Sequence, residues 1–298
     1  MQAMKKHLLV MIYCATLISC SKDNSYDTTA ITETPGNTSN ISPVPNTFTQ
    51  KVLLEIFTGA GQPQSTDGTA RMNDLINANS NQAIPLCIHY SDAMEIPVYS
   101  FLETTFCNSV PPAFPSAMIN RIPSTGIVTL NRTQWQSNFN INKQKVAKCG
   151  LAIETNVSGT NATITVHAGF NQTVSANHNI TVYLVENNIV GNGNQFEQRN
   201  SYNTIAGHAF YQAGDPILNF QHNYVIRKVL SANSGDEIRS SQLIAGGKEV
   251  KTYTTSISSY KQDDLYVIAF VNKTGATSTT HEIMNVQRVK LGSTKDWD

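Results

Sequence analysis

Charge is what this chain has least of. Lys, Arg, Asp and Glu make up 14% of its 298 residues, and the formal net charge is +0. An average soluble domain carries roughly 25% charged residues. A neutral chain offers no electrostatic footprint for nucleic acid, so no such partner is expected. Apolar runs are short too. None approaches the roughly 20 residues that a membrane-spanning helix needs. Metal-ligand patterns are missing. His89, His167, His178, His208, His222 and His281 are scattered, with no His-x-x-x-His or carboxylate pair at ligand spacing. Asp215 and Asp263-Asp264 lack the regular spacing of a calcium loop. Gly191-x-Gly193 lacks the strand–turn–helix setting of a dinucleotide site, and no Gly-x-Ser-x-Gly elbow occurs. No cofactor is expected. Ser, Thr, Asn and Gln supply the polarity instead, a balance that suits a β-rich extracytoplasmic protein.

The N-terminus explains that setting. Lys5-Lys6 precede an apolar stretch, His7 to Ser19, too short to cross a bilayer. This is the shape of a signal peptide. It ends in Leu17-Ile18-Ser19-Cys20, which resembles a bacterial lipobox. Residues 1–19 are therefore expected to be a lipoprotein signal peptide, with Cys20 the lipid-bearing first residue. Several acyl chains on one residue anchor stably where a single chain does not. The membrane is thus an expected partner through the N-terminal lipid. Residues 20–50 are rich in Ser, Thr, Asn and Pro without apolar period, and are expected to form a flexible tether.

From residue 51 to 148 strands and helices alternate. Val52 to Phe57 reads as a strand buried on both faces, broken by Thr58-Gly59. A helix starts at Ser65 with Met72, Leu75 and Ile76 on one face. A second buried strand runs from Ala83 to Tyr90, and the long connection implies a parallel pair. Pro97 to Cys107 reads as a second helix. Pro115 opens a short apolar strand and is a candidate cis-proline. Gly126 to Leu130 reads as a hairpin strand. Asn131 to Lys148 reads as a closing helix, with Trp135, Phe139 and Val146 toward the sheet.

After Cys149 the apolar period becomes two. Leu151, Ile153 and Val157, then Ile164, Val166, Ala168 and Phe170, then Ile180, Val182 and Leu184 alternate with polar residues. Turns are expected at Gly159-Thr160-Asn161 and Ser175 to His178. Later strands are expected over 223–230, 250–257, 265–271 and 282–291. Residues 149–298 therefore read as an antiparallel β-sandwich. Asn187 to Gly214 interrupts the pattern. Its aromatic and amide side chains suit a glycan or peptide contact, but a decorated surface crossover is the favoured reading.

Three motifs resemble a known family. They are Val52-Leu53-Leu54-Glu55-Ile56-Phe57-Thr58-Gly59, Phe114-Pro115-Ser116-x-x-x-Asn120-Arg121 and Tyr266-Val267-Ile268-Ala269-Phe270-Val271. Together they look like the 28-kDa outer membrane protein family of Bacteroidetes lipoproteins. The resemblance implies an α/β thioredoxin-like domain followed by an all-β antiparallel sandwich. It also implies outer-membrane attachment, periplasmic or surface-exposed. Many relatives carry Cys-x-x-Cys just after Phe-Thr-Gly. Aligned on Phe57-Thr58-Gly59, those cysteines fall on Gln62 and Ser65, the degenerate redox positions of this chain. Pro115 is then expected to face that corner.

The missing thiols set the functional expectation. Thiol–disulfide exchange needs an attacking thiolate and a resolving thiol. Gln62 cannot attack sulfur, and the Ser65 hydroxyl is far less acidic than a thiol. Cys87 reads as a small buried hydrophobe in mid-strand, and a Cys107–Cys149 disulfide is left open by sequence. The expectation is a non-enzymatic, lipid-anchored protein whose modules bind a protein, peptide or glycan. The alternatives are a thiol-redox accessory or other extracytoplasmic enzyme, and a nutrient-capture lipoprotein.

Overall fold

The computed structural model describes residues 41–107, 112–174 and 177–298. The signal peptide, Cys20, Pro111 and part of the turn expected at 175–178 lie outside the described residues.

The first part follows the expected alternation. Strand β1 (Val52–Thr58) is buried along its whole length. Helix α1 spans Ser65–Ala78, β2 spans Ala83–His89 and α2 spans Val98–Phe106. Then come β3 (Ser116–Ile119), β4 (Thr129–Asn131) and α3 (Trp135–Lys143). β1 pairs in parallel with β2 and antiparallel with β3. The closing helix is shorter than its pattern suggests. A 3-10 turn occupies Arg132–Gln134, and α3 stops at Lys143. Its Ser and Asn residues are weak helix formers, so little carries it further. Trp135 and Phe139 are fully buried, but Val146, expected toward the sheet, is 82% exposed beyond the helix end.

The second part is rich in strands: β5 (Cys149–Ser158), β6 (Asn161–Phe170), β7 (His178–Glu186) and β8 (Val225–Val229). β9 (Asp236–Glu237), β10 (Lys248–Ser256), β11 (Leu265–Lys273), β12 (Ile283–Lys290) and β13 (Thr294–Lys295) follow. The two-residue strands β9 and β13 carry too little pattern to be read from sequence. The two parts do not keep separate sheets. One sheet runs β12-β11-β7-β8-β2-β1-β3-β4, with β9 beside β7, and crosses residue 148 without a break. The join is narrow: β8 meets β2 at the Cys87–Val225 pair. A second sheet runs β10-β6-β5-β13.

Three apolar clusters layer these elements. Val52, Leu54 and Ile56 of β1 pack with α1 and α3. The opposite face, Leu53 and Phe57, packs with α2 and with Tyr183, Ile268, Phe270 and Val286 of the strand-rich part. The other face of those strands, including Val182, Val267 and Ala269, packs with Leu151, Ile164 and Val166 of the second sheet. Each large side chain so buried stabilises by about 1.5–3 kcal/mol. Residues 42–50, placed in the tether by sequence, are docked here. The Ser42 hydroxyl donates to Asp296 and its carbonyl accepts from the Trp297 indole at 2.8 Å. Phe48 lies on Gly150, where a Cβ would stand 2.1 Å from its ring. No helix among the described residues is long and apolar enough to cross a membrane.

At the centre of the second layer sits an ion pair. Arg121 donates to Glu55 through two nitrogens, at 2.7 and 2.6 Å. Their side chains are 1% and 0% exposed. Burial opposes the charge on Arg121, but Glu55 outweighs it and raises the guanidinium further. Removing one partner strands the other charge. Arg121→Ala is therefore expected to cost about 3–5 kcal/mol in urea unfolding, and Glu55→Leu with Arg121→Met much less. A single-variant loss under about 1 kcal/mol would contradict this placement.

Candidate functional site

The corner between β1 and α1 is built by close backbone approach. At Gly59 a Cβ would stand 2.7 Å from the Tyr90 carbonyl oxygen, so only glycine fits there without a shift. The turn continues with Gln62 N–H donating to the Gly59 carbonyl at 3.1 Å and Ser65 N–H to the Gln62 carbonyl at 3.0 Å. α1 then begins at Ser65. The Phe114–Pro115 bond is cis, as its sequence position suggests. The Pro115 ring presses on the first turn of α1, where a Cβ on Gly68 would meet it at 2.7 Å. Gln62 is half-buried, and the Ser65 hydroxyl is buried without a protein partner.

The corner is covered from outside. Residues 187–224, between β7 and β8, form a strap across it. The Gln198 side-chain amide, on a residue 2% exposed, lies 3.3, 3.2 and 3.1 Å from the carbonyl oxygens of Gly59, Ala60 and Gln62. Arg199 N–H donates to the Ala60 carbonyl and Ser201 N–H to the Pro63 carbonyl, both at 2.8 Å. The Thr66 hydroxyl donates to the Asn200 side chain at 3.2 Å. Asn200 in turn folds the strap on itself, donating to the Phe210 and Gly214 carbonyls.

Asp67 is the charged clasp. It accepts from Arg71 at 2.8 Å and Arg132 at 2.6 Å, and His208 of the strap lies 3.3 Å away. Burial works against its charge, but the two guanidinium hydrogen bonds hold the carboxyl below its usual range. His208 stacks on Tyr202, ring centres 4.1 Å apart, and Arg132 donates to the Tyr202 hydroxyl at 3.1 Å. Asp215 pairs with Arg199 at 2.8 Å on the strap's outer side.

Under the strap lies a cavity of about 270 Å³, lined by Thr58, Met72, Cys87, His89, Gln198 and His222 among others. His89 Nδ1 is 2.7 Å from Asp92, which also accepts from the Ala60 amide at 2.8 Å. His222, from the strap, stands edge-on to His89 with ring centres 5.1 Å apart. Its Nε2 is 2.7 Å from the Phe196 carbonyl. Burial, helped by His89, pushes His222 down to about 4, so it is neutral at pH 7 and donates that bond. No three His, Cys, Asp or Glu side chains among the described residues are arranged to hold a metal.

One of the thiols, Cys87, lines this cavity. Cys87, Cys107 and Cys149 are all free. Burial pushes each of them up to about 12, with Glu103 adding to the effect at Cys107. The sequence missed the strap's role. Its one signal was a loop rich in amides and aromatics, longer than a crossover needs.

The strap's stability is expected to fall with pH. The unfolded chain binds the His222 proton first, near 6.5, so the contribution of neutral His222 is complete above 6.5 and disappears as pH falls to about 4. The scale is about 3 kcal/mol at most, at about 1.4 kcal/mol per unit. Urea midpoints measured between pH 7 and 4.5 should fall, and His222→Gln should flatten the decline. An equal decline in the variant would contradict the assignment.

The chain can now be set beside known proteins. A family model described as outer membrane protein Omp28 matches residues 111–295, more than half of the chain. Among curated proteins nothing matches. Among solved structures, HBP35 of Porphyromonas gingivalis superposes with a TM-score of 0.63 at 17% identity, over 82% of this chain and 76% of that one. That likeness is one of fold. A structural-genomics target from Agrobacterium tumefaciens superposes with a TM-score of 0.47 at 10% identity, over 82% of this chain and 95% of that one. The motifs at Phe114 to Arg121 and Tyr266 to Val271 fall inside the matched region, and the chain belongs to the Omp28 outer membrane protein family.

Proposed function

We propose that this chain is a lipid-anchored, non-catalytic binding protein of the outer membrane. Its thioredoxin-like part serves as a scaffold. Its two strand layers act as a β-sandwich, and together they present a surface to a protein, peptide or glycan. The observation that carries this reading is the corner itself. Gln62 and Ser65 stand where redox cysteines would act, and the Gln198 amide fills the carbonyl cage beside them. A thiol-redox accessory would need a thiolate near neutral pH. Three thiols raised to about 12, two of them buried, weigh against it. The binding surface has a candidate location. Val190, Ile205, Tyr211 and Leu218 of the strap are exposed, between 40% and 63%. Nutrient capture is the variant of this reading in which the ligand is a glycan or peptide.

The full chain is expected to show no dithiol-dependent reduction of insulin above background. Turnover abolished by Cys87→Ser would contradict the non-catalytic reading. The anchor is tested separately. Cys20→Ala is expected to release the protein from the outer-membrane fraction or leave it unprocessed, and an unchanged membrane-bound, processed protein would remove the lipid from the account.

A further inference from the structure

A second cavity, of about 480 Å³, opens by the N-terminal ends of β1 and β2, away from the end of β1 that the strap covers. Its lining collects charge in a chain that has little. Lys51, just before β1, Arg288 on β12 and Lys295 on β13 all face it, with Asp298 as the one acidic residue. Thr49, Ser80 and Asn81 add hydroxyl and amide groups at its rim.

The cations are held in place. The Lys51 side chain is only 6% exposed. Its ammonium donates to Gln287 Oε1 at 2.6 Å and to Asp298. Gln287 is fixed by its own amide, which donates to the Leu151 carbonyl at 3.3 Å. Lys295 Nζ reaches the other oxygen of Asp298 at 2.6 Å. Arg288 lies between Tyr224 and Tyr266, 5.5 and 5.6 Å from their ring centres. No carboxylate among the described residues pairs with it. Its planar fork of donors is thus oriented by two rings and left without an anion.

Three side-chain cations face the side-chain and α-carboxylates of Asp298, which leaves one positive charge in excess. Burial lowers Lys51, Asp298 only partly restores it, and Lys295 and Arg288 lower it further by repulsion. Asp298 already shows how the cavity takes an oxyanion, bridging Lys51 and Lys295. A phosphate monoester carries about 1.5 to 2 negative charges at pH 7 and three acceptor oxygens, so it complements the positive excess and can occupy the open fork.

We propose that the cavity lined by Lys51, Arg288 and Lys295 is a binding site for a phosphate group, with Arg288 as its principal donor. The group arrives on a soluble phosphate ester or on a lipid headgroup. Both present the same oxygens to the same fork.

The test is calorimetric titration of the full chain, in detergent, with inorganic phosphate, glucose 1-phosphate and a short-chain phosphatidic acid. Acetate, glucose and the matching phosphatidylcholine are controls. Phosphate compounds should bind and the controls should not. Arg288→Gln should weaken binding about tenfold or more, the loss of a charge-assisted bidentate pair. Arg288→Lys should recover part of it. Lys295→Gln, at a side chain 44% exposed, should also weaken binding, and carries the test if the Arg288 variant unfolds. Equal affinity for the sugar phosphate and the lipid places the source in solution, and binding of the lipid alone places it in the membrane. No binding by any phosphate compound at millimolar concentration would overturn the proposal. So would unchanged affinity in both variants, or equal binding of acetate.

Discussion

The Glu55–Arg121 pair is the constraint on which the rest of the architecture depends. Two charges at the centre of the molecule are stable only if each completes the other, because the interior offers no water to replace either partner. Glu55 sits in the middle of β1, and Arg121 follows β3. The guanidinium lies 4.8 Å from the Phe106 ring centre and 5.1 Å from that of Phe270. Phe106 ends α2, and Phe270 belongs to β11. One side chain therefore fixes the spacing between the α/β part and the strand-rich part. Asn120 reinforces it, accepting from the Leu53 amide at 2.8 Å and offering its carbonyl to Ile283.

That spacing places the strap. Once β7 and β11 are set against α2, β8 returns beside β2, and the segment between β7 and β8 must pass over the end of β1. The corner and the strap are thus consequences of the same packing. In the covered corner, backbone carbonyls of the β1–α1 turn find donors in Gln198, Arg199 and Ser201 rather than in water or a ligand. Buried backbone acceptors left unpaired are costly. A strap that supplies their donors is stabilised by that need, with no thiol involved.

Much of the fold was legible because it is local. The apolar runs of β1 and β2, the helical face of α1, the cis-proline position and the alternating strands from Cys149 onward each declare themselves within a few residues. Val146 misled because an apolar residue at helical spacing carries no mark of where its helix ends. The shared sheet was hidden for a different reason. Its join rests on Cys87 meeting Val225, and nothing near either residue encodes a partner so far along the chain. The corner was legible as the break at Thr58-Gly59 between an apolar strand and a helix starting at Ser65. What closes it was not, because Gln198 and Asn200 look like any polar loop residues until their carbonyl partners are in place.

Amide hydrogen exchange at Arg199 and Ser201 tests the central claim most directly. If the strap closes the corner, these two amides are protected at neutral pH, and Gln198→Ala raises their exchange well above that of the β1 amides. Exchange in the unaltered protein at the rate of a solvated loop would contradict the account.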